Sequence, residues 1–130
     1  MKITSCLVAC LVLAVCSPPV LARPIGAATP GMTFTIPRGT VSGPVVINNP
    51  TTPLPTTTVV NNGTVAGGTN PGITVTGPTP TTVTNNGAIT STTKGITVSG
   101  SPSSTVVNSG TIVVKSSSGS ATGVSQGGPP

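Results

Sequence analysis

The chain has 130 residues, room for one domain at most. It carries five Lys or Arg, no Asp, Glu or His, no Trp or Tyr and a single Phe, for a net charge of +5. So few aromatics argue against a compact α/β or α+β core, scattered cations argue against nucleic-acid binding, and the lack of carboxylates and imidazoles removes the usual acids, bases and metal ligands.

In chain order, Met1 to Ala22 reads as a secretory signal. Lys2 supplies the positive start, Ile3 to Val15 the apolar run, and Val20 and Ala22 the small residues a peptidase reads. Cleavage is expected before Arg23. The apolar run is too short to span a bilayer, so a membrane anchor is the lesser reading. A lipobox at Leu7-Val8-Ala9-Cys10 is another, although cutting there would leave most of the apolar run behind. Cys6, Cys10 and Cys16 all fall inside the leader, so disulfides cannot hold the mature product together.

Residues 23–56 read as a degenerate coil or N-terminal cap with a Pro-rich loop. Met32-Thr33-Phe34-Thr35-Ile36 echoes the later phrase Ile73-Thr74-Val75-Thr76, and Val46-Ile47-Asn48-Asn49 echoes a later Asn phrase. Met32 and Phe34 are the largest side chains available to plug an end of a stack. Pro50 to Pro55 breaks any strand and is expected to be a loop.

Residues 57–114 repeat. Thr57-Thr58-Val59-Val60-Asn61-Asn62-Gly63-Thr64-Val65 returns as Thr81-Thr82-Val83-Thr84-Asn85-Asn86-Gly87-Ala88-Ile89 and as Ser104-Thr105-Val106-Val107-Asn108-Ser109-Gly110-Thr111-Ile112, in steps of 24 and 23 residues. Between them, Gly72-Ile73-Thr74-Val75-Thr76-Gly77 recurs as Gly95-Ile96-Thr97-Val98-Ser99-Gly100. A fixed period of this size marks stacked supersecondary units, and β-branched runs closed by Asn-Gly, Gly or Pro mark those units as strands. The expected fold is all-β, a parallel β-helix or solenoid of about three to four short coils with about three strands each. Residues 115–130, rich in Ser and Gly, read as a flexible tail or the frayed start of another coil at Gly123-Val124-Ser125.

Period-2 alternation turns one face of each strand inward. Stacking then gives apolar columns Val59/Val83/Val106, Val65/Ile89/Ile112, Ile73/Ile96 and Val75/Val98. The column Asn61/Asn85/Asn108 is polar. An inward Asn is costly unless hydrogen-bonded, and amides one strand spacing apart, about 4.8 Å, satisfy one another as a ladder. The competing reading is that Asn-Gly merely favours the turn. Asn62, Asn86 and Ser109 read as plain turn residues.

The phrases Val-x-Asn-Asn-Gly-Thr-Val and Gly-Ile-Thr-Val-x-Gly resemble the repeats of autotransporter passenger domains, the surface-exposed β-helical adhesins of Gram-negative bacteria. The resemblance covers Thr57 to Val114 well and Gly31 to Asn49 poorly. It implies a right-handed β-helix, secreted or on the bacterial cell surface, with a structural or adhesive role. Such passengers are several hundred residues long and precede a C-terminal β-barrel that nothing here can form, so the chain is expected to be a fragment, a decayed gene or a small product exported another way.

No cofactor, no catalysis, no nucleic acid and no stable membrane insertion are expected. Ser91 or Ser99 beside Lys94 is the lone conceivable catalytic pair, and solvated lysine is the simpler account. Partners are expected to be host or cell-surface ligands, or copies of the chain joined at coil ends. Two alternatives remain: a disordered Ser/Thr/Pro-rich extracellular stalk, and an ice-binding solenoid built on Thr33-Phe34-Thr35, Thr74-Val75-Thr76 and Thr82-Val83-Thr84. Asn62-Gly63-Thr64 is a glycosylation sequon, relevant only in a eukaryote.

Overall fold

The computed structural model describes residues 32–49, 55–101 and 103–127. The leader, its cleavage point before Arg23 and most of the 50–55 loop lie outside the described residues. Twelve strands follow one another with no helix among the described residues.

Four coils of three strands build the stack. Coil 1 is β1 (Thr33–Ile36), β2 (Val41–Ser42) and β3 (Val45–Asn48). Coil 2 is β4 (Thr57–Asn61), β5 (Thr64–Gly68) and β6 (Ile73–Thr76). Coil 3 is β7 (Thr81–Asn85), β8 (Ala88–Ser91) and β9 (Lys94–Ser99). Coil 4 is β10 (Ser104–Asn108), β11 (Thr111–Val114) and β12 (Thr122–Gly127). Every pairing is parallel and joins a strand to its counterpart one coil away, giving three four-stranded sheets, β1-β4-β7-β10, β2-β5-β8-β11 and β3-β6-β9-β12. The protein is a parallel β-solenoid of four turns.

The register follows the alternation of β-branched residues. Val59 pairs with Val83 and Val83 with Val106. Val65 pairs with Ile89 and Ile89 with Ile112, while Ile73 pairs with Ile96 and Val75 with Val98. Val59, Val65, Ile73, Val75, Val83, Ile89 and Ile96 are fully buried and Val98 is nearly so; Val106 and Ile112 are partly buried against them. Parallel sheets enclosing such a core are held by apolar contact on the inner face and by ladder hydrogen bonds along the axis. The described residues of 57–114 thus form part of the solenoid.

Glycine is required where coils touch. A Cβ on Gly87 would overlap the Gly63 carbonyl oxygen, and one on Gly110 would overlap that of Gly87. Gly77 and Gly100 turn the chain out of β6 and β9 with φ of 106° and 79°, a conformation only glycine adopts freely.

Three expectations are corrected. In coil 1 the two echoes are exchanged: β1 lies on β4, pairing Phe34 with Val59 and Ile36 with Asn61, while β3 lies on β6, pairing Val45 with Ile73 and Ile47 with Val75. Strand order decides the partner, because each sheet takes one strand from each coil in turn. Met32 does not plug the stack. It precedes β1 and is 47% exposed, whereas Phe34 packs on the core and Ile36 is 2% exposed. Lastly, residues 115–130 are not simply a flexible tail: the second reading of that stretch, another coil at Gly123-Val124-Ser125, is the one found, since β12 pairs with β9 through Val124 and Ile96. Residues 115–121 form the corner that leads to it.

Candidate functional site

The corner between the first and second strands of coils 2 to 4 holds the amide ladder, while coil 1 places Ile36 on that rung. Asn61 Nδ2 donates to Asn85 Oδ1 at 2.7 Å, and Asn85 Nδ2 donates to Asn108 Oδ1 at 2.7 Å. Asn61 Nδ2 also reaches the Ala88 carbonyl at 3.1 Å, and the Gly63 amide donates to Asn61 Oδ1 at 3.1 Å. Ladder and turn are thus not rival roles. The nitrogen of Asn61 links coils while its oxygen closes the local turn, which is why the phrase needs Asn followed two residues later by Gly. Asn61 and Asn85 are fully buried, and these bonds offset the cost of burying them. Asn108 is exposed at the last rung.

Asn62 and Asn86 are more than turn residues. Asn86 Nδ2 donates to Asn62 Oδ1 at 3.0 Å, an outer rung parallel to the inner one. Beside it runs an open groove of roughly 710 Å³ floored by Gly63 and Gly87, walled by Asn62, Asn86 and Thr64, with Arg38 among its lining residues.

A second polar cluster, at the corner between coils, has no counterpart in the sequence reading. Thr57 Oγ1 donates to Asn49 Oδ1 at 3.1 Å, Asn49 Nδ2 donates to Thr81 Oγ1 at 3.2 Å, and Thr81 Oγ1 donates to the Thr79 carbonyl at 3.1 Å. Asn49, Thr57 and Thr81 are buried. The signal for it was the Thr or Ser opening each copy of the long phrase, which the inward parity of Val59 and Asn61 also turns inward.

The outer surface of the first sheet is an ordered array. Thr33, Thr58, Thr82 and Thr105 form one column, and Thr35, Val60, Thr84 and Val107 the next. The Thr-x-Thr pairs at 33–35 and 82–84 therefore share one face and one register, two coils apart. Thr74-Val75-Thr76 lies on the third sheet.

Arg38, Lys94 and Lys115 are the cations among the described residues, all exposed, with Lys94 opening β9 and the other two in corners. Ser91 Oγ donates to the Lys94 carbonyl at 2.7 Å, which commits that hydroxyl to the backbone. No group of three His, Cys, Asp or Glu able to hold a metal occurs among the described residues. Compared with family models, curated proteins and solved structures, the chain matches none.

Proposed function

We propose that this chain is a secreted or surface-exposed structural and adhesive β-solenoid without catalytic activity, similar in role to autotransporter passengers. The observation that carries this reading is the first sheet: two outward columns of Thr and Val run the length of the stack with no charge among them. Contact through such a face is spread over many equivalent methyl and hydroxyl groups, so affinity scales with the number of coils, not with one pocket. The leader at Met1 to Ala22 supports export.

The test has two arms. The secreted product is expected to begin at Arg23 by N-terminal sequencing, and retention of Cys6 to Cys16 would overturn export. Adhesion of the purified protein to cells or surfaces is expected to fall by a modest fraction for each of Thr58→Ala, Thr82→Ala and Thr84→Ala. One substitution that abolishes adhesion while leaving the β-rich circular dichroism intact would reveal a discrete site and overturn the reading.

The same two columns favour a second reading, binding to ice. Rungs about 4.8 Å apart and next-nearest residues about 6.7 Å apart present a flat grid of hydroxyls and methyls on which water can order. Thermal hysteresis and crystal shaping measured on the same Thr variants separate the two: ice binding requires both in the wild type and their loss on Thr82→Asp.

A further inference from the structure

The groove beside the outer amide rung has its charge at one end. Coils 2 to 4 turn from first to second strand in two residues, Asn62-Gly63, Asn86-Gly87 and Ser109-Gly110, whereas coil 1 uses four, Pro37-Arg38-Gly39-Thr40. Thr40 closes that longer turn, its amide and its hydroxyl both donating to the Pro37 carbonyl, at 3.3 and 2.7 Å. The Thr64 amide donates to the Thr40 carbonyl at 2.8 Å, and a Cβ on Gly63 would overlap the Pro37 and Thr40 carbonyl oxygens, so the turn is seated on coil 2. Arg38 thereby stands at the coil 1 end of a groove that reaches Thr111 in coil 4. At about 4.8 Å per rung, that is a length of about 14 Å.

We propose that this groove binds a short acidic saccharide, with a uronate carboxylate on Arg38 and ring hydroxyls along the amide wall. No Asp or Glu occurs in the 130 residues, so no acidic side chain of the chain neutralises Arg38. A carboxylate engages the guanidinium fork through two parallel hydrogen bonds. Beyond Arg38 the lining is neutral and polar. Asn62 Nδ2 and Asn86 Oδ1 make no hydrogen bond among the described residues, since the rung between them occupies Asn86 Nδ2 and Asn62 Oδ1. A donor and an acceptor on neighbouring rungs match a pair of sugar hydroxyls, each of which both donates and accepts.

Other polymers fit this lining less well. A peptide that adds as a strand needs free backbone amides, and those of Asn62, Gly63, Thr64, Asn86, Gly87 and Ala88 all donate within the stack. Ala88 is the single apolar side chain in the lining, so a peptide's own apolar side chains find little to pack on. A nucleic acid wants a run of cations with aromatic faces for its bases, and the groove has one cation and no ring. The groove lies at a corner, apart from the Thr and Val columns of the first sheet, so this site goes beyond adhesion spread over that face.

Titration of the full chain in reductant, followed by NMR, tests this with trigalacturonate and trimannuronate as probes, maltotriose as the neutral control and inorganic sulfate as the bare anion. The Gly39, Gly63 and Gly87 amide signals are expected to shift saturably with at least one of the uronate trimers, and maltotriose and sulfate to bind at least about tenfold more weakly. Arg38→Gln removes the charge and weakens uronate binding at least about tenfold. Lys115→Gln at another corner and Thr58→Ala on the first sheet leave it unchanged, and circular dichroism shows each variant folded. No saturable shift with either uronate, maltotriose or sulfate binding as tightly as the uronate, an Arg38→Gln variant that binds like the wild type, or a Lys115→Gln or Thr58→Ala variant that binds as weakly as Arg38→Gln would each overturn the proposal. Adhesion through the first sheet is read separately, from the Thr variants on cells or surfaces.

Discussion

Coils 3 and 4 are written in nearly the same words and live in different surroundings. Val83, Asn85, Ile89 and Ile96 are fully buried, whereas their partners one coil on, Val106, Asn108, Ile112 and Val124, are partly or largely exposed. The residue types barely change, and among the described residues coil 3 has a neighbour on both sides while coil 4 has one. In a repeat array, stability is a sum of each coil's own cost and its interfaces, and an end coil lacks one interface.

The sharpest way to break that comparison is to place the same charge in both coils. Ile89→Asp buries a carboxylate between Val65 and Ile112 with no partner and is expected to cost more than about 4 kcal/mol. Ile112→Asp, beside solvent, is expected to cost about half as much, and Thr90→Asp, exposed on the same strand, less than about 0.5 kcal/mol. Chemical denaturation followed by circular dichroism decides it. Equal losses for Ile89→Asp and Thr90→Asp would reject the register.

Next comes close approach. Gly87→Ala drives a methyl into the Gly63 carbonyl and is expected to cost about 2–3 kcal/mol, since the obstacle is backbone on a neighbouring coil. Gly123→Ala in coil 4 meets nothing within 4 Å and is expected to be neutral within about 0.5 kcal/mol. The same melts check both, and a neutral Gly87→Ala would mean that the coils are further apart at this corner.

The ladder gives a smaller contrast. Asn85→Ala removes one of the two acceptors of the buried Asn61 amide and the donor to Asn108, for an expected loss of about 2 kcal/mol. Asn108→Ala removes one bond at an exposed rung and is expected to cost about 1 kcal/mol. Hydrogen exchange at the Gly63 and Gly87 amides adds a local readout, with faster exchange expected in Asn85→Ala.

How much of this was legible in the sequence depends on the coil. In coils 2 and 3, period, strand phase and inward columns all follow from Val, Ile, Asn and Gly recurring at fixed offsets, because corner lengths there are nearly constant. Coil 1 misleads because its corners differ. Four residues separate β1 from β2, where two separate β4 from β5 and β7 from β8, and Ile36 occupies the rung where later coils place Asn. Aligning by residue type then selected the wrong sheet. Coil 4 misleads in the other direction. Seven residues separate β11 from β12, and the inward positions of β12 hold Val124 and Gln126 in place of two aliphatics, so the strand reads as tail. The cluster of Asn49, Thr57 and Thr81 was hidden because it draws residues from three coils through corners whose path no periodicity specifies.

The smallest expected effect is a null one, and it follows from composition. Acid denaturation is driven mostly by carboxylates and histidines whose proton affinity changes on folding. With no Asp, Glu or His in the chain, stability is expected to be flat from about pH 4.5 to about pH 7, in coil 3 and coil 4 alike. An introduced carboxylate then reports its own surroundings without background. In Ile89→Asp, burial raises the folded-state pKa above the unfolded value. The protonated form is therefore favoured by folding, and the variant is more stable in acid, losing that advantage as pH rises through the raised pKa. In Ile112→Asp the solvent-facing carboxylate is less perturbed and the gain in acid is smaller. Denaturation midpoints against pH give both slopes, and a pH-dependent wild type, or a steeper slope for Ile112→Asp than for Ile89→Asp, would show that burial is not distributed along the stack as described.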